Sequence, residues 1–215
     1  MQRPDRKKRD TITAAAARMF ATRPYHEVRL DDIAAAAHIG KGTLYVYFDN
    51  KEDLYFSLIY DGFARLVDRL KERLGSGAET GAANGVEPDL PAAEALERIV
   101  RELVGFAFAH PHFFELMRSV GKIKGSSESN WNRKREEFQA LVEGTIRRGN
   151  RRAELCDPHP ELTALCIGGM VRSVMLFGPK GMGEDEVSSQ IFRLLERGIV
   201  KQDPRQERRE KRGSR

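Results

Sequence analysis

The sequence is poor in several features that would each indicate a particular class of protein. It has only two cysteines, Cys156 and Cys166, in 215 residues, so no disulfide framework holds the fold and a reducing cytoplasm is the simplest setting. The longest apolar stretch, 162–177, is interrupted by Arg172. Because a membrane-spanning helix needs ~20 predominantly apolar residues, we expect no membrane span and no membrane partner. The first residues also lack the apolar block of a secretory signal.

The sequence motifs of common enzyme classes are missing as well. It contains no Walker-type glycine loop, no GxGxxG and no Ser-His-Asp string. Cys156, His159 and Cys166 have side chains that can ligate zinc, but a fourth ligand is not evident. The sequence therefore predicts no enzyme, no cofactor and no metal site, with a metal-dependent enzyme kept as a remote alternative.

Positive charge is concentrated at the two ends of the chain. Lys and Arg number 37 against 32 Asp and Glu, which gives a net charge of +5. Residues 1–9 and 201–215 each carry a net +4, so residues 10–200 carry −3. A basic arm beside a DNA-reading motif is better evidence of nucleic-acid binding than a basic total. The N-terminal arm, Arg3 to Arg9, is thus either a solvated charge run or a contact to the DNA backbone or minor groove.

Apolar residues recur with the helical period almost everywhere, and no run is typical of a strand. We predict an all-α fold of about nine helices. Residues 1–50 are expected to form a helix-turn-helix DNA-binding domain with a basic N-terminal arm. Residues 51–200 are expected to form a helical domain for effector binding and dimerisation, and residues 201–215 a charged, flexible tail.

The stretch from Val28 to Leu54 is the most informative part of the chain. Two short predicted helices, 30–37 and 41–48, are separated by a tight turn at His38-Ile39-Gly40. The second helix places Leu44 and Phe48 four residues apart on one face, which predicts burial of that face. A third predicted helix, 51–74, begins after Asn50, a favourable N-cap, with Asp53 three residues on. This pattern is a helix-turn-helix.

The opposite face of the second short helix is basic, hydroxylated and small at one position, which suits close approach to phosphates and base edges. The string GKGTLYVYFDNKEDL, preceded by LDDIAAAA, resembles the tetracycline-repressor (TetR/AcrR) family of bacterial transcriptional regulators. The family pattern is matched over about residues 8–58, and the rest of the chain matches it in helical pattern and length. The matching positions are Lys41, Gly42, Leu44, Tyr45, Tyr47, Phe48, Lys51 and Glu52.

The resemblance implies a role for each matching residue. Tyr47 and Lys51 correspond to residues that grip phosphates, and Thr43 and Tyr45 to residues that contact bases or phosphates, although Tyr45 alternatively serves packing. Lys41 and Gly42 stand where the recognition helix begins.

Three positions depart from the family pattern. Arg29 replaces the usual Ser or Thr cap of the preceding helix, so we expect it to reach phosphate by charge instead. His38 holds a usual Gly position, where a positive φ is expected. Gly40 replaces a usual Ser or Thr, which removes one hydroxyl.

In the family, the helices after the fourth form a ligand pocket and a dimer surface. Aromatic and Met side chains in this part of the chain suit either an apolar pocket or ordinary core packing. The candidate pocket residues are Phe106, His110, Phe113, Phe114, Met117, Trp131, Phe138, Met170 and Phe177.

A glycine pair in the middle of a predicted helix, Gly168-Gly169, indicates close approach of another backbone, because each Gly costs ~1 kcal/mol there relative to Ala. The partner is either a second subunit or the same chain. The candidate dimer residues are Leu162, Leu165, Gly169, Ser173, Ile191 and Leu194.

These expectations together describe a cytoplasmic, nucleoid-associated bacterial regulator. We predict a homodimer that binds a pseudo-palindromic operator in double-stranded DNA, most simply a repressor that a small, largely apolar effector of unknown identity releases. The alternative is a DNA-binding protein without a small-molecule effector, which acts by architecture or is regulated by another protein.

Overall fold

The computed structural model describes residues 5–74, 90–112 and 126–199, with the side chains of 126–129 left out. Within these ranges the chain forms eight α-helices and one 3₁₀ turn, Tyr25–Glu27, and no strand. The all-α prediction is confirmed, whereas the helix predicted from Pro111 lies, beyond His112, outside the described residues. The helices are α1 Arg6–Thr22, α2 Leu30–Ala36, α3 Lys41–Tyr47, α4 Lys51–Leu74, α5 Ala92–Ala109, α6 Ser126–Arg151, α7 Pro160–Phe177 and α8 Glu184–Ile199.

Local side-chain chemistry explains where α4 begins. The Asn50 Oδ1 accepts a hydrogen bond from the Asp53 N–H at 2.7 Å, which is the predicted N-cap. The reciprocal half of the predicted capping box is different, because the Asp53 carboxylate accepts from the Asp49 N–H at 3.2 Å and not from that of Asn50. Burial raises the pKa of Asp53.

The described residues divide into two compact units. One contains residues 5–63, 112 and 126–128, and the other contains 64–74, 90–111 and 129–199. Helix α4 contributes residues 51–63 to the first unit and 64–74 to the second. The domain boundary that the sequence predicts at residue 50 stays a prediction.

The first unit is organised around a small apolar core. Its largest fully buried members, Ile12, Ile33, Leu44 and Leu54, come from four different helices. Ala34 and Ala37 are also buried, and their small side chains let α2 lie close to its neighbours. Because one side of α3 packs into this core, the core fixes the orientation of that helix.

In the second unit α5 packs against both α7 and α8. A Cβ atom added at Gly149 of α6 would lie 2.6 Å from the Ala92 Cβ and equally close to Leu155, so the packing there admits only glycine. The turn after α6 is held by the Asn150 amide, which donates to the Asp157 carbonyl at 2.7 Å and accepts from the Asp157 N–H at 3.1 Å.

Helix α7 is apolar on two sides, of which only one is covered. Ala164, Ile167 and Val171 are buried, whereas the side that carries Leu162 and Leu165 is exposed. By length and composition alone α7 is the one helix in the described ranges that could cross a membrane, with a mean hydropathy of 1.3 and 22% of its residues buried. An apolar composition of this kind is equally typical of a soluble helix whose exposed side packs against a second subunit.

Candidate nucleic-acid interface

A tight turn joins α2 to α3 and sets the geometry of the helix-turn-helix. His38 has φ = 54°, so the left-handed conformation predicted for this position is confirmed. The Ile39 N–H donates to the Ala34 carbonyl at 3.0 Å, which closes the turn. Ile39 then packs partly buried against the core.

The two sides of α3 face different environments. Leu44 and Phe48 are buried and anchor the helix. Lys41 and Gly42 are exposed, Tyr45 is 45% exposed and Thr43 is half-buried, so most of the predicted contact face is accessible to a ligand.

Two further observations refine the exposed face of α3. No atom lies within 4 Å of a Cβ placed at Gly42, so packing inside the chain does not require glycine there. Val46, which we did not predict as a contact, is 68% exposed beside Tyr45. An exposed apolar side chain on a recognition helix can contact the methyl group of thymine. Its exposure was detectable only once the orientation of α3 was known.

An ion pair links the start of α3 to α2. The Lys41 Nζ lies 2.8 Å from the Asp31 Oδ1, and both side chains are exposed. The hydrogen bond and the charge of Asp31 raise the pKa of Lys41. Asp31 therefore places a negative charge beside a cation that the sequence assigns to DNA.

Tyr47 connects the end of α3 to the start of α1. Its Oη accepts a hydrogen bond from the Asp5 N–H at 3.1 Å, and the Asp5 carboxylate caps α1 by accepting from the Lys7 N–H at 2.9 Å. A tyrosine hydroxyl that accepts one hydrogen bond still has its own hydrogen to donate. Tyr47 can thus hold the N-terminus of α1 and donate to a phosphate oxygen as well.

Lys51 lies in the first turn of α4, as predicted, but it is half-buried. Its Nζ lies 4.2 Å from the centroid of the Tyr25 ring. Burial lowers the pKa of Lys51. The exposed N–H groups and the positive end of the helix dipole add to its charge at this position.

Arg29 and Arg9 take different positions at the edge of the site. Arg29 occupies the N-cap position of α2, is exposed, and makes no capping hydrogen bond. Arg9 instead donates to the Ser57 Oγ at 2.7 Å, and its guanidinium lies 5.4 Å from the centroid of the Phe48 ring. Arg9 thus braces α1 against its neighbours and is not part of a loose arm, whereas Arg6 and the two lysines that follow are exposed in the first turn of α1.

The described pocket candidates differ in burial. Phe106 of α5 and His110, the residue that follows this helix, are brought together, with ring centroids 4.8 Å apart. Burial and the nearby Arg65 guanidinium lower the pKa of His110. Phe138 is buried in the core, and Trp131 and Met170 are half-buried. Three other predicted pocket residues lie outside the described residues, namely Phe113, Phe114 and Met117.

Phe177 requires a correction, because it is 75% exposed at the end of α7 and is not enclosed as a pocket residue should be. It continues the exposed stripe of α7, at helical spacing from the residues before it. This stripe, which we call the α7 stripe, consists of Leu162, Leu165, Gly169, Ser173 and Phe177.

Most predicted dimer residues are exposed in the single chain. Leu162, Leu165 and Leu194 are each about half exposed, and no atom lies within 4 Å of a Cβ placed at Gly169. Ile191 is different, because it is only 3% exposed in the core of the second unit. It cannot contribute to a partner surface as the sequence pattern predicted.

The side chains whose chemistry would suit zinc, Cys156, His159 and Cys166, do not belong to a metal-binding group among the described residues. Cys156 and Cys166 are both free and exposed. In residues 5–74, 90–112 and 126–199, no group of three or more His, Cys, Asp or Glu side chains could hold a metal ion.

Two family profiles match this chain. The profile of the bacterial regulatory proteins of the tetR family matches residues 12–58, which include the whole helix-turn-helix. The tetracyclin repressor-like C-terminal domain matches residues 89–199. The chain belongs to the tetracycline-repressor family. The regulator is therefore a DNA-binding transcriptional regulator of this family.

Similar proteins cover most of the regulator's length. It is 27% identical over 164 residues to an uncharacterised HTH-type transcriptional regulator, YhgD, of Bacillus subtilis, which covers 76% of this chain and 78% of that one. It is also 27% identical over 158 residues to the HTH-type transcriptional repressor SCO4008 of Streptomyces coelicolor, covering 73% and 72% of the two chains.

A solved structure supports the fold. The transcriptional regulator FadR from Bacillus subtilis, in complex with stearoyl-CoA, aligns with a TM-score of 0.61 at 18% identity and covers 86% of this chain and 96% of that one. At this identity the likeness shows the fold alone.

Proposed function

We propose that the regulator is a repressor that binds a pseudo-palindromic operator as a homodimer and leaves it when a small, largely apolar effector binds the second unit. The observation that carries this proposal is the exposed side of α3, where Lys41, Gly42 and Tyr45 face solvent while Leu44 and Phe48 anchor the opposite side. A helix held in this way can enter the major groove without disturbing the core.

The proposed contacts fall into two classes. Thr43, Tyr45 and Val46 meet base edges and methyl groups, and the absence of a side chain at Gly42 lets the backbone approach the DNA. Phosphates are bound by charged and hydroxyl groups around this face, which fix the position of the helix without reading sequence. The phosphate contacts are Arg29, Lys41, Tyr47 and Lys51.

The α7 stripe, with Leu194 of α8, is proposed as the dimer surface. Its leucines are half exposed and its small residues, Gly169 and Ser173, leave room for a second backbone. A two-fold dimer presents two recognition helices to two half-sites, whose centres are ~34–36 Å apart. Exposed apolar area of this kind is costly in a monomer and is stabilised by a partner.

Effector binding is proposed to involve Phe106, His110, Trp131, Phe138 and Met170, which are all buried or half-buried in the second unit. The effector has a higher affinity for the arrangement of the dimer that does not bind DNA. Its binding therefore shifts the equilibrium away from the DNA-bound dimer. Helix α4 transmits the change, because it is continuous from Lys51 through residues of both units. The name of the relative SCO4008, a transcriptional repressor matched over 72% of its length, supports repression here. For a protein bound to chromosomal operators we propose association with the nucleoid.

Fluorescence anisotropy with labelled DNA from either side of the protein's own gene tests this function. We expect salt-dependent binding to one fragment, loss of that binding in Tyr45→Ala, and unchanged binding in Ala140→Glu, an exposed control position on α6. Titration with apolar small molecules should then release the DNA. Binding that every effector leaves intact would favour a DNA-binding protein without a small ligand, and equal binding by Tyr45→Ala would remove α3 as the reading surface.

A further inference from the structure

The Tyr25 ring lies where it can hold the ammonium group of Lys51 before DNA arrives. The Lys51 Nζ is 4.2 Å from the centroid of that ring, well within the ~6 Å at which a cation is attracted to an aromatic face. We propose that Tyr25 is a positioning residue for DNA binding, which sets Lys51 at the N-terminus of α4 for contact with phosphate. This proposal rests on the proposed role of Lys51 as a phosphate contact.

Tyr25 is itself held in place by other rings of the first unit. Its centroid lies 5.7 Å from that of Phe20, with the two planes within 15° of each other, and 5.0 Å from that of Tyr55. The His112 ring is 6.0 Å away. Because three neighbouring rings surround Tyr25, its position does not depend on Lys51.

The phenol of Tyr25 stays neutral, so its attraction for Lys51 comes from the ring face and not from an ion pair. Burial, and next the adjacent Glu52 carboxylate, raise the pKa of Tyr25 far above that of an exposed tyrosine. Burial lowers the pKa of Lys51, and the neighbouring Glu52 charge opposes that shift. An electron-rich ring face beside the ammonium also attracts its charged form.

Prior positioning matters because a lysine side chain is flexible. Its four-carbon stem loses rotational freedom when the ammonium binds a phosphate. A ring that already restricts the stem reduces that loss, which is the general benefit of preorganisation. The ammonium has three hydrogens, so one can face the ring while another is donated to a phosphate oxygen.

The contact itself is measured by NMR of the wild-type protein. Hydrogens on the carbon next to the Lys51 Nζ should resonate upfield of an ordinary lysine because of the ring current of Tyr25. Lys51→Gln assigns these signals by their disappearance, and Tyr25→Phe should preserve the shift. Signals at the ordinary position in the wild type would overturn the proposal without any Tyr25 variant.

A double-mutant cycle with operator DNA measures how much the contact between Tyr25 and Lys51 contributes to DNA affinity. Tyr25→Leu should weaken binding about fivefold, the size of a partly exposed cation–π contact, and Tyr25→Phe should bind like the wild type. In the Lys51→Gln background, Tyr25→Leu should cost nothing further. Phe20→Leu removes a ring from the same cluster without a contact to the ammonium, and its effect should be equal in both backgrounds.

The outcomes separate this proposal from the function on which it rests. If Lys51→Gln weakens binding but Tyr25→Leu costs the same in both backgrounds, or tightens binding, the positioning role is wrong and the phosphate contact stands. If Lys51→Gln leaves affinity and its salt dependence unchanged, the phosphate assignment fails and the positioning role with it.

Discussion

Helices α3 and α7 are each anchored on one side and exposed on the other, yet the chemistry of the exposed sides is different. The seven residues of α3 expose a lysine, a glycine, a tyrosine and a valine next to one another. The 18 residues of α7 expose a long stripe in which two small residues, Gly169 and Ser173, separate two leucines from a phenylalanine. The exposed side of α3 can contact charged, hydroxyl and methyl groups of a ligand at the same time, whereas the exposed side of α7 offers almost only apolar area.

The difference shows what each exposed surface is suited to bind. Groove recognition needs polar and apolar contacts within a few ångströms of each other, and α3 combines both within two turns. Subunit pairing needs contiguous apolar area and close backbones, and α7 supplies these over five turns. Exposure of hydrophobic residues is therefore informative here only together with the residues that surround them.

The largest effect is expected on the buried side of α3. Leu44→Ala removes a fully buried side chain from the small core and should lower the free energy of unfolding by about 2–5 kcal/mol. Val46→Ala, two residues away on the exposed side, should change it by less than about 0.5 kcal/mol. Urea unfolding followed by circular dichroism measures both, and equal losses would show that α3 has no distinct buried side.

Disrupting the α7 stripe should have the next largest effect, on dimerisation and on operator affinity. Leu165→Glu places a charge in the middle of the apolar surface and should convert the dimer into monomers, which lose at least about 100-fold in operator affinity because the two half-sites are no longer bound together. Light scattering after size exclusion gives the mass, with Ala140→Glu as the matched control. A dimer that survives Leu165→Glu would place the interface elsewhere.

A smaller change is expected at the edge of α3. Asp31→Asn removes the partner of Lys41 and a negative charge near the DNA, so operator affinity should rise about threefold and its salt dependence should steepen by about one phosphate contact. Asp32→Asn is the matched control, because it removes an equal charge from the same turn without touching Lys41. Equal effects of the two variants would mean that the pair with Lys41 is irrelevant.

The smallest effect concerns the pH dependence of stability in the second unit. Burial and Arg65 lower the folded-state pKa of His110 below its unfolded value of 6.5. The unfolded chain therefore takes up a proton first, and stability is lost as the pH falls below 6.5 towards the folded-state pKa. His110→Gln should reduce the fall in Tm between pH 7.5 and 5.5, and an identical pH profile in the variant would contradict the assignment.

Local chemistry made much of the first unit predictable from sequence. The bounds of α4, the Asn50 cap and the positive φ of His38 all follow from residues within four positions of one another. The burial of Leu44 and Phe48 on one side of α3 was predictable for the same reason, since helical spacing fixes which residues share a side.

The contacts that modify the site were not predictable in this way. Asp31 meets Lys41 across a turn, Asp5 meets Tyr47 from 42 positions away, and Tyr25 meets Lys51 from a different helix. Each depends on how α1, α2 and α4 pack, and periodicity does not contain that information. On α8 the pattern marked Ile191 and Leu194 alike, although only Leu194 faces outward, because spacing alone does not show which flank of an amphipathic helix its neighbours cover.

The order of bulky and small side chains along the α7 stripe also bears on the choice of partner. If the α7 stripe pairs two subunits as proposed, close packing is favoured when bulky side chains of one stripe lie against the small residues of the other, and a stripe with another order would pair less well. A bacterium that makes several regulators of this fold would thereby avoid mixed pairs. Each regulator would then form only homodimers, and the genes that it controls would respond only to its own effector.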